Sequence, residues 1–463
     1  MYTIKKQYPL FILLVIISTV LCAQQKTITY KTIDSLIYSQ NVTNNMNALK
    51  QLENKFIKDS SKVEYWERYA QACFNSFKYS KAIESIDKVI QKKPKYSEAY
   101  FKKATFVLKI RKDLIEAIDL MSQAIRYENK GEYYFYRGIY HQMNTDDPKA
   151  IKDYDSALEL GFVHPGLYRN YAILLLKWDD PKTALNIIEK AIQLNPDVAE
   201  NYSTRAQIYI PLLEPEKVCS DFKTATKLGY TKNISLQNIL CKENSTINKY
   251  MIFGDVLQKM EKFDFAKKAY NLAIEKEKDS SRYYLNRGYC HFKLEEYDLA
   301  EKDYLTALQL PTPTKDLLYD NLSLLYFNQD KYEKSIEYST KRIDLNSNNE
   351  VPYIDRGLAY RKLGKYIEAE KDFNTSLSIK PTFFRAYGYR AYLFFEKGDF
   401  NKAFEDAKKA ISLNPEYGYG HVVLGLSKQK LNIDGFCTDF KTAKKYNGLD
   451  ADKAIAAYCN TEK

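Results

Sequence analysis

Four cysteines stand in two matched pairs. Cys219 opens the run Cys-Ser-Asp-Phe-Lys-Thr-Ala, and Cys437 opens Cys-Thr-Asp-Phe-Lys-Thr-Ala, with a second cysteine 22 residues on in each case, Cys241 and Cys459. In an oxidising compartment such pairs read as bridges, Cys219–Cys241 and Cys437–Cys459, each pinning a closing segment. By the chain-entropy relation a loop of this length contributes ~3 kcal/mol. Cys73 and Cys290 have no such counterpart and read as core residues. A second constellation is ionic. Arg137, Arg205, Arg287, Arg356 and Arg390 are each followed 16 residues later by an aspartate: Asp153, Asp221, Asp303, Asp372 and Asp406. Where the arginine is missing, so is the acid: Tyr69 goes with Ser85, Tyr171 with Ile187, Phe253 with Ala269 and Leu322 with Tyr338. The co-occurrence predicts charge-assisted pairs between two neighbouring elements. Asp439 breaks the rule, having no matching arginine.

Catalytic and metal-binding signatures are missing. The 4 histidines (His141, His164, His291 and His421) lie in no zinc spacing, and neither a phosphate-binding loop nor a nucleophile elbow is present. The expectation is a chain with no catalytic residue, no metal and no cofactor.

The elements that hold these residues repeat. Units of 34 residues begin at Val63, Ser97, Gly131, Pro165 and Ala199, and again at Ile247, Ser281, Asp316, Glu350, Phe384 and Gly418, with few slips. Position 4 of the unit is aromatic from Trp66 to Tyr387. Position 8 is small (Ala70, Ala104, Gly138, Ala172, Ala206, Gly254, Gly288, Ser323, Gly357, Ala391, Gly425), and positions 20 and 27 are often alanine. Two antiparallel helices approach closely only where one offers a small residue. Proline at position 32, as in Pro94, Pro196, Pro381 and Pro415, stops the second helix. The period accounts for much of the excess of tyrosine, 41 copies against 2 of tryptophan. The arginines fall at position 7, on the first helix, and the aspartates at position 23, on the second.

This pattern resembles the tetratricopeptide repeat, a helix–turn–helix unit, over about residues 63 to 450. The resemblance implies an all-α solenoid, a superhelix of antiparallel helix pairs with about eleven repeats. The break in register after Cys241 and the duplicated cysteine module divide it into two arrays. The expected organisation is residues 1–23 as an export signal, 24–62 as a degenerate N-terminal helical cap, 63–245 as the first array with its cysteine-bearing cap, and 246–463 as the second. Each array is expected to fold by itself, because a solenoid repeat contacts only its neighbours.

The same resemblance implies a concave surface lined by positions 2, 5, 9, 12 and 13 of the first helices. In the second array these positions supply Arg282, Tyr289, Phe292, Lys293, Phe327, Arg361, Lys362, Arg385, Tyr392 and Phe395. The mixture suits an extended peptide with apolar and acidic residues, and binding is expected between Ser281 and Tyr417. The two-carboxylate clamp of chaperone-binding relatives is not matched, since Met251, Asp255 and Leu317 stand where it needs Lys, Asn and Lys. The function expected is a non-enzymatic scaffold for a protein or peptide partner. A glycan- or cell-wall-binding module using the groove aromatics is the alternative.

The N-terminus sets the compartment. Lys5 and Lys6 precede the apolar run Leu10–Leu21, and Ala23 offers a small residue for cleavage. Twelve residues are too short for a spanning helix, which needs ~20. The expectation is an exported bacterial protein of the periplasm, cell envelope or medium. Lipidation at Cys22 and an uncleaved anchor stay open. The formal charge of +11 reads as a solvated Lys-rich surface and not as a nucleic-acid site.

Overall fold

The structure is a computed structural model and describes residues 29–39, 41–242, 248–312 and 314–459. The export signal and Cys22 lie outside the described residues. Among these residues the ordered elements are α-helices and one short 3-10 turn, with no strand. The helices run in pairs at the expected period: Val63–Asn75 with Tyr79–Lys92, Ser281–Lys293 with Tyr297–Gln309, Val351–Lys362 with Tyr366–Ile379, and so on to Gly418–Lys430 with Phe436–Lys445. The N-terminal cap is itself a pair, Tyr30–Ile37 and Val42–Lys55, closed on the first repeat through Ile33, Ile37, Leu49 and Leu52.

Side-chain volume at position 8 decides how each pair fits. A Cβ added to Gly288 would stand 2.7 Å from Tyr304 Cε1, and one added to Gly357 would stand 2.6 Å from Phe373 Cε1. At Ala70 and Ala172 the residue at the facing register is Ile86 or Ile188 instead of a ring, and both are fully buried, whereas Ala206 keeps the ring of Phe222 at that register. Gly with an aromatic and Ala with an aliphatic are two ways to fill one volume at interior density.

The turn inside each pair passes through the left-handed region at one residue. Gly364 and Gly398 occupy it at φ 73° and 81°, but Phe77, Lys112, Thr145, Asp179, Leu213, Glu261, Glu295, Asp330 and Asn432 do so as well, at φ between 55° and 62°. A side chain there costs about 1 kcal/mol relative to glycine.

The chain divides into two compact units, Met1–Arg205 and Ala206–Lys463. This division lies upstream of the register break, because the closing helix Ile234–Leu240 touches both Pro215–Lys227 and Lys249–Lys259. Within the second unit the first helices of successive repeats touch one another directly, more closely than the second helices do. The first helices therefore form the closer-spaced, inner row of this unit. Both cysteine pairs sit at bonding distance, Cys219 with Cys241 and Cys437 with Cys459, their Cα atoms 5.5 and 5.7 Å apart. The first ties Ile234–Leu240, and the second Ala451–Tyr458, to the last repeat helix before it. Cys73 and Cys290 are buried free thiols, pushed up to about 11 and about 12 by burial.

Candidate functional site

The arginines at position 7 build the joints between repeats. Arg287 donates from Nε and Nη2 to both oxygens of Asp303, at 2.7 and 2.6 Å. Arg137, Arg356 and Arg390 make the same two-pronged contact with Asp153, Asp372 and Asp406. The fifth pair, Arg205 and Asp221, straddles the limit between the compact units and remains an expectation. Asp439 takes Lys428 at 2.8 Å in place of the missing arginine. The position-4 tyrosine underlies the guanidinium, with Tyr284, Tyr353 and Tyr387 5.5 to 5.7 Å from the cation.

A third partner was not foreseen. The remaining guanidinium nitrogen reaches back to the preceding repeat, to Ser122 Oγ (3.1 Å), Asn271 Oδ1 (2.7 Å), Thr340 Oγ1 (3.1 Å) and Asn374 Oδ1 (2.6 Å). Units without the arginine use the same route with other chemistry. Tyr69 donates to Glu53 at 2.8 Å, Tyr171 to Asp155 at 2.6 Å, and Lys103 meets Asp87 at 2.7 Å. Leu322 shares an apolar cluster with Leu305. The signal was present in the sequence: an acceptor stands 15 or 16 residues before each donor.

On the inner side the expected groove residues fall into two groups. Arg282 is held by Asp255 at 2.9 Å, and Arg361 is held by Glu396 at 2.8 Å while lying 4.9 Å above the ring of Tyr392. These two cations are already satisfied. Phe292 packs against the core beside Tyr297, Tyr289 lies edge-on to Phe263, Lys293 sits over Phe263, and Phe327 lies edge-on to Tyr332. Tyr392, Phe395 and Tyr419 form one aromatic group, with Tyr392 5.9 Å from Tyr419. Arg385 and Lys362 are exposed and have no ion-pair partner among the described residues. Leu317, Leu324 and Val351, three apolar side chains on the same row, stay 46, 49 and 41% exposed.

Two carboxylates of this row contrast. Position 9 of one repeat meets positions 2 and 6 of the next. Asp255 shows it directly, accepting from Arg282 (2.9 Å) and Asn286 (2.9 Å), and also from Tyr270 Oη (2.8 Å). Two repeats on, the same three positions are Leu324, Val351 and Asp355. Asp355 has no hydrogen-bond donor among the described residues. It is crowded by neighbouring atoms yet keeps a path to solvent. Burial, and then the nearby Asp320 carboxylate, push its acid up to about 7, against the pull of Arg342 and Arg385. Arg342 itself occupies position 27, alanine in most units, and is held by Asp320 at 3.0 Å. Sequence patterning had assigned Asp355 no role.

Among the described residues no group of three or more His, Cys, Asp or Glu is placed to hold a metal ion, and no helix is long and apolar enough to cross a membrane. His141 is buried, and that burial lowers its acidity range.

Stacked antiparallel helix pairs with an inner row of first helices define a helical-repeat solenoid. The tetratricopeptide-repeat family matches residues 253–313, 318–349, 352–383 and 384–417, and these segments are tetratricopeptide repeats. The chain is similar to RNA polymerase II-associated protein 3 of Mus musculus, 34% identical over 91 residues, 20% of this chain and 14% of that protein. It thus spans about a seventh of that relative's length. A solved structure of the first repeat domain of Spaghetti (RPAP3), bound to the HSP90 peptide SRMEEVD, is 27% identical over 26% of this chain and 96% of that one, TM-score 0.25. The Cut9–Hcn1 hetero-tetramer is 12% identical and covers 92% of this chain and 94% of its own, TM-score 0.41.

Proposed function

We propose that this chain is an exported, non-catalytic scaffold that holds an extended segment of a partner protein against the first-helix row between Ser281 and Tyr417. The observation that carries this reading is the exposure of Leu317, Leu324 and Val351 on the inner row, beside the unpaired Arg385. Apolar side chains left in water on a concave face are most economically covered by a ligand. The tetratricopeptide repeats matched between residues 253 and 417 support a protein-binding role of this kind. Export is supported by Lys5, Lys6 and the apolar run Leu10–Leu21, and by two cysteine pairs set at bonding distance. The test is capture of envelope proteins by the full chain and by a Leu324→Asp, Tyr392→Ala variant of unchanged helicity. The parent should retain a stoichiometric partner, and the variant should lose it by thirtyfold or more, the effect of about 2 kcal/mol at an interface anchor. Equal capture by both would place the binding face elsewhere.

A further inference from the structure

Asp355 is an acid without a donor on a row where Asp255, Asp320 and Glu396 each have one. Asp255 has three donors, Asp320 has Arg342, and Glu396 has Arg361. The charged groups facing Asp355 come from three helices. Lys315–Asn328 brings Asp320, with Asp316 behind it. Tyr332–Leu345 brings Arg342, and Phe384–Glu396 brings Arg385 and Tyr389. On the remaining neighbour, Tyr366–Ile379, Asp372 is bound by Arg356. Arg342 is consumed by Asp320 and, at 3.9 Å, by Asp316. Arg342 is thus shared by two acids, and Arg385, the other guanidinium, acts on Asp355 only from beyond ion-pair distance, so Asp355 has no direct partner among the described residues.

Its surroundings fix the shape of a complementary group. By the repeat geometry seen at Asp255, positions 9 and 2 around Asp355 are Leu324 and Val351, both exposed. A long aliphatic stem would cover them and bring a cationic head to the carboxylate. A charge-assisted hydrogen bond is the strongest contact open to a desolvated acid.

We infer that Asp355 is the recognition point for a lysine or arginine side chain of the bound segment, flanked there by apolar residues. This rests on the groove reading above and adds a basic residue to its expected ligand: Arg282 and Arg361, two of the cations expected to meet acidic residues, are already paired, while Arg385 and Lys362 stay open. Binding a cation requires the ionised acid. With the free acid near 7, affinity for a basic peptide rises as pH goes from 6 to 8 and then levels.

The test uses the full oxidised chain and synthetic nine-residue extended peptides whose central residue, between leucines, is Arg, Lys, Gln or Glu. Binding is followed by fluorescence anisotropy at pH 6 and pH 8. The Arg and Lys peptides should bind about tenfold more tightly than the Gln and Glu peptides at pH 8, one charge-assisted contact's worth. Asp355→Asn should erase that preference and the pH dependence while holding the Gln peptide as before. Asp355→Leu should do the same, which guards against a fold defect peculiar to one variant. If Gln or Glu peptides bind as well as Arg, or Asp355→Asn keeps the preference, this inference falls and the groove reading stands. If no peptide of any kind binds the parent chain, the groove reading falls with it.

Discussion

The joint between the repeats at Ile247 and Ser281 and the joint between those at Asp316 and Glu350 are alike on one side and unlike on the other. On the core side Arg287 ties Asp303 and Asn271, and Arg356 ties Asp372 and Thr340, with nearly the same distances. On the inner side the first joint closes on a satisfied Asp255, and the second exposes two apolar side chains around an unsatisfied Asp355. A solenoid can thus hold its stacking constant with one set of residues and vary the opposite face freely. The second joint carries a local cost that stacking does not require, and such costs concentrate at binding sites.

The largest effect should come from the shared side. Arg287→Leu and Arg356→Leu should each lower stability by about 3 kcal/mol or more, because a buried aspartate loses its guanidinium, Asp303 keeping, among the described residues, only His291 at 3.7 Å. Adding Asp303→Leu or Asp372→Leu should return part of the loss. Urea unfolding of the four variants checks this. Clearly unequal costs, or purely additive ones, would show that the two core sides are not equivalent.

The inner sides should respond with opposite signs. Asp255→Leu should cost about 2 kcal/mol, since Asn286 and Arg282 lose their acceptor and Tyr270 is left with Gln258. Asp355→Leu should stabilise by roughly 1–2 kcal/mol at pH 8, since an unpaired buried charge is removed. The pH dependence sharpens this. The folded acid lies near 7 and its ordinary value is 3.8, so the native state holds more protons between those limits. Stability therefore falls as pH rises from about 4 to 7 and stays low above. Melting midpoints of parent and Asp355→Asn should diverge clearly more at pH 8 than at pH 5. A parallel shift at both pH values would break the contrast.

The smallest difference lies in the turns of the two downstream repeats. Glu295 adopts φ 60° where Gly364 adopts 73°. Glu295→Gly should gain up to about 1 kcal/mol, and Gly364→Ala should lose about as much. Calorimetry resolves both.

The phase of the repeats was legible because position 8 and its facing residue are fixed by helix contact, which leaves a periodic trace. The Arg–Asp pairs were legible because copies within one chain could be compared. The reach of Arg356 to Thr340 was not, since its counterparts change from hydroxyl to amide to carboxylate and repeat no letter. Arg282 and Arg361 were expected on the binding face, and the acids that hold them went unidentified. Their acids, Asp255 and Glu396, lie 27 and 35 residues away and become neighbours only when repeats stack. Asp355 escaped because it sits at position 6, outside the positions that the family resemblance pointed to.

The reach from position 7 to the preceding repeat has a consequence for how such a chain can change. Glu53 answers Tyr69, Asp87 answers Lys103, Asp155 answers Tyr171, Asn374 answers Arg390, and Leu305 lies in one cluster with Leu322. Each junction carries its own address. Moving the Leu322 repeat behind Asp155 would take away that carboxylate's Tyr171 donor and set a leucine beside it, and moving the Lys103 repeat behind Leu305 would strand an ammonium group. Single units are not freely interchangeable beads: a repeat copied in place fits only where its own acceptor suits its own position 7, as Asn374 would suit Arg356, whereas copying the Ser281 repeat would set Leu305 against Arg287. Copying a block brings its internal matches along, and the two modules opening at Cys219 and Cys437 have the form such a block leaves behind.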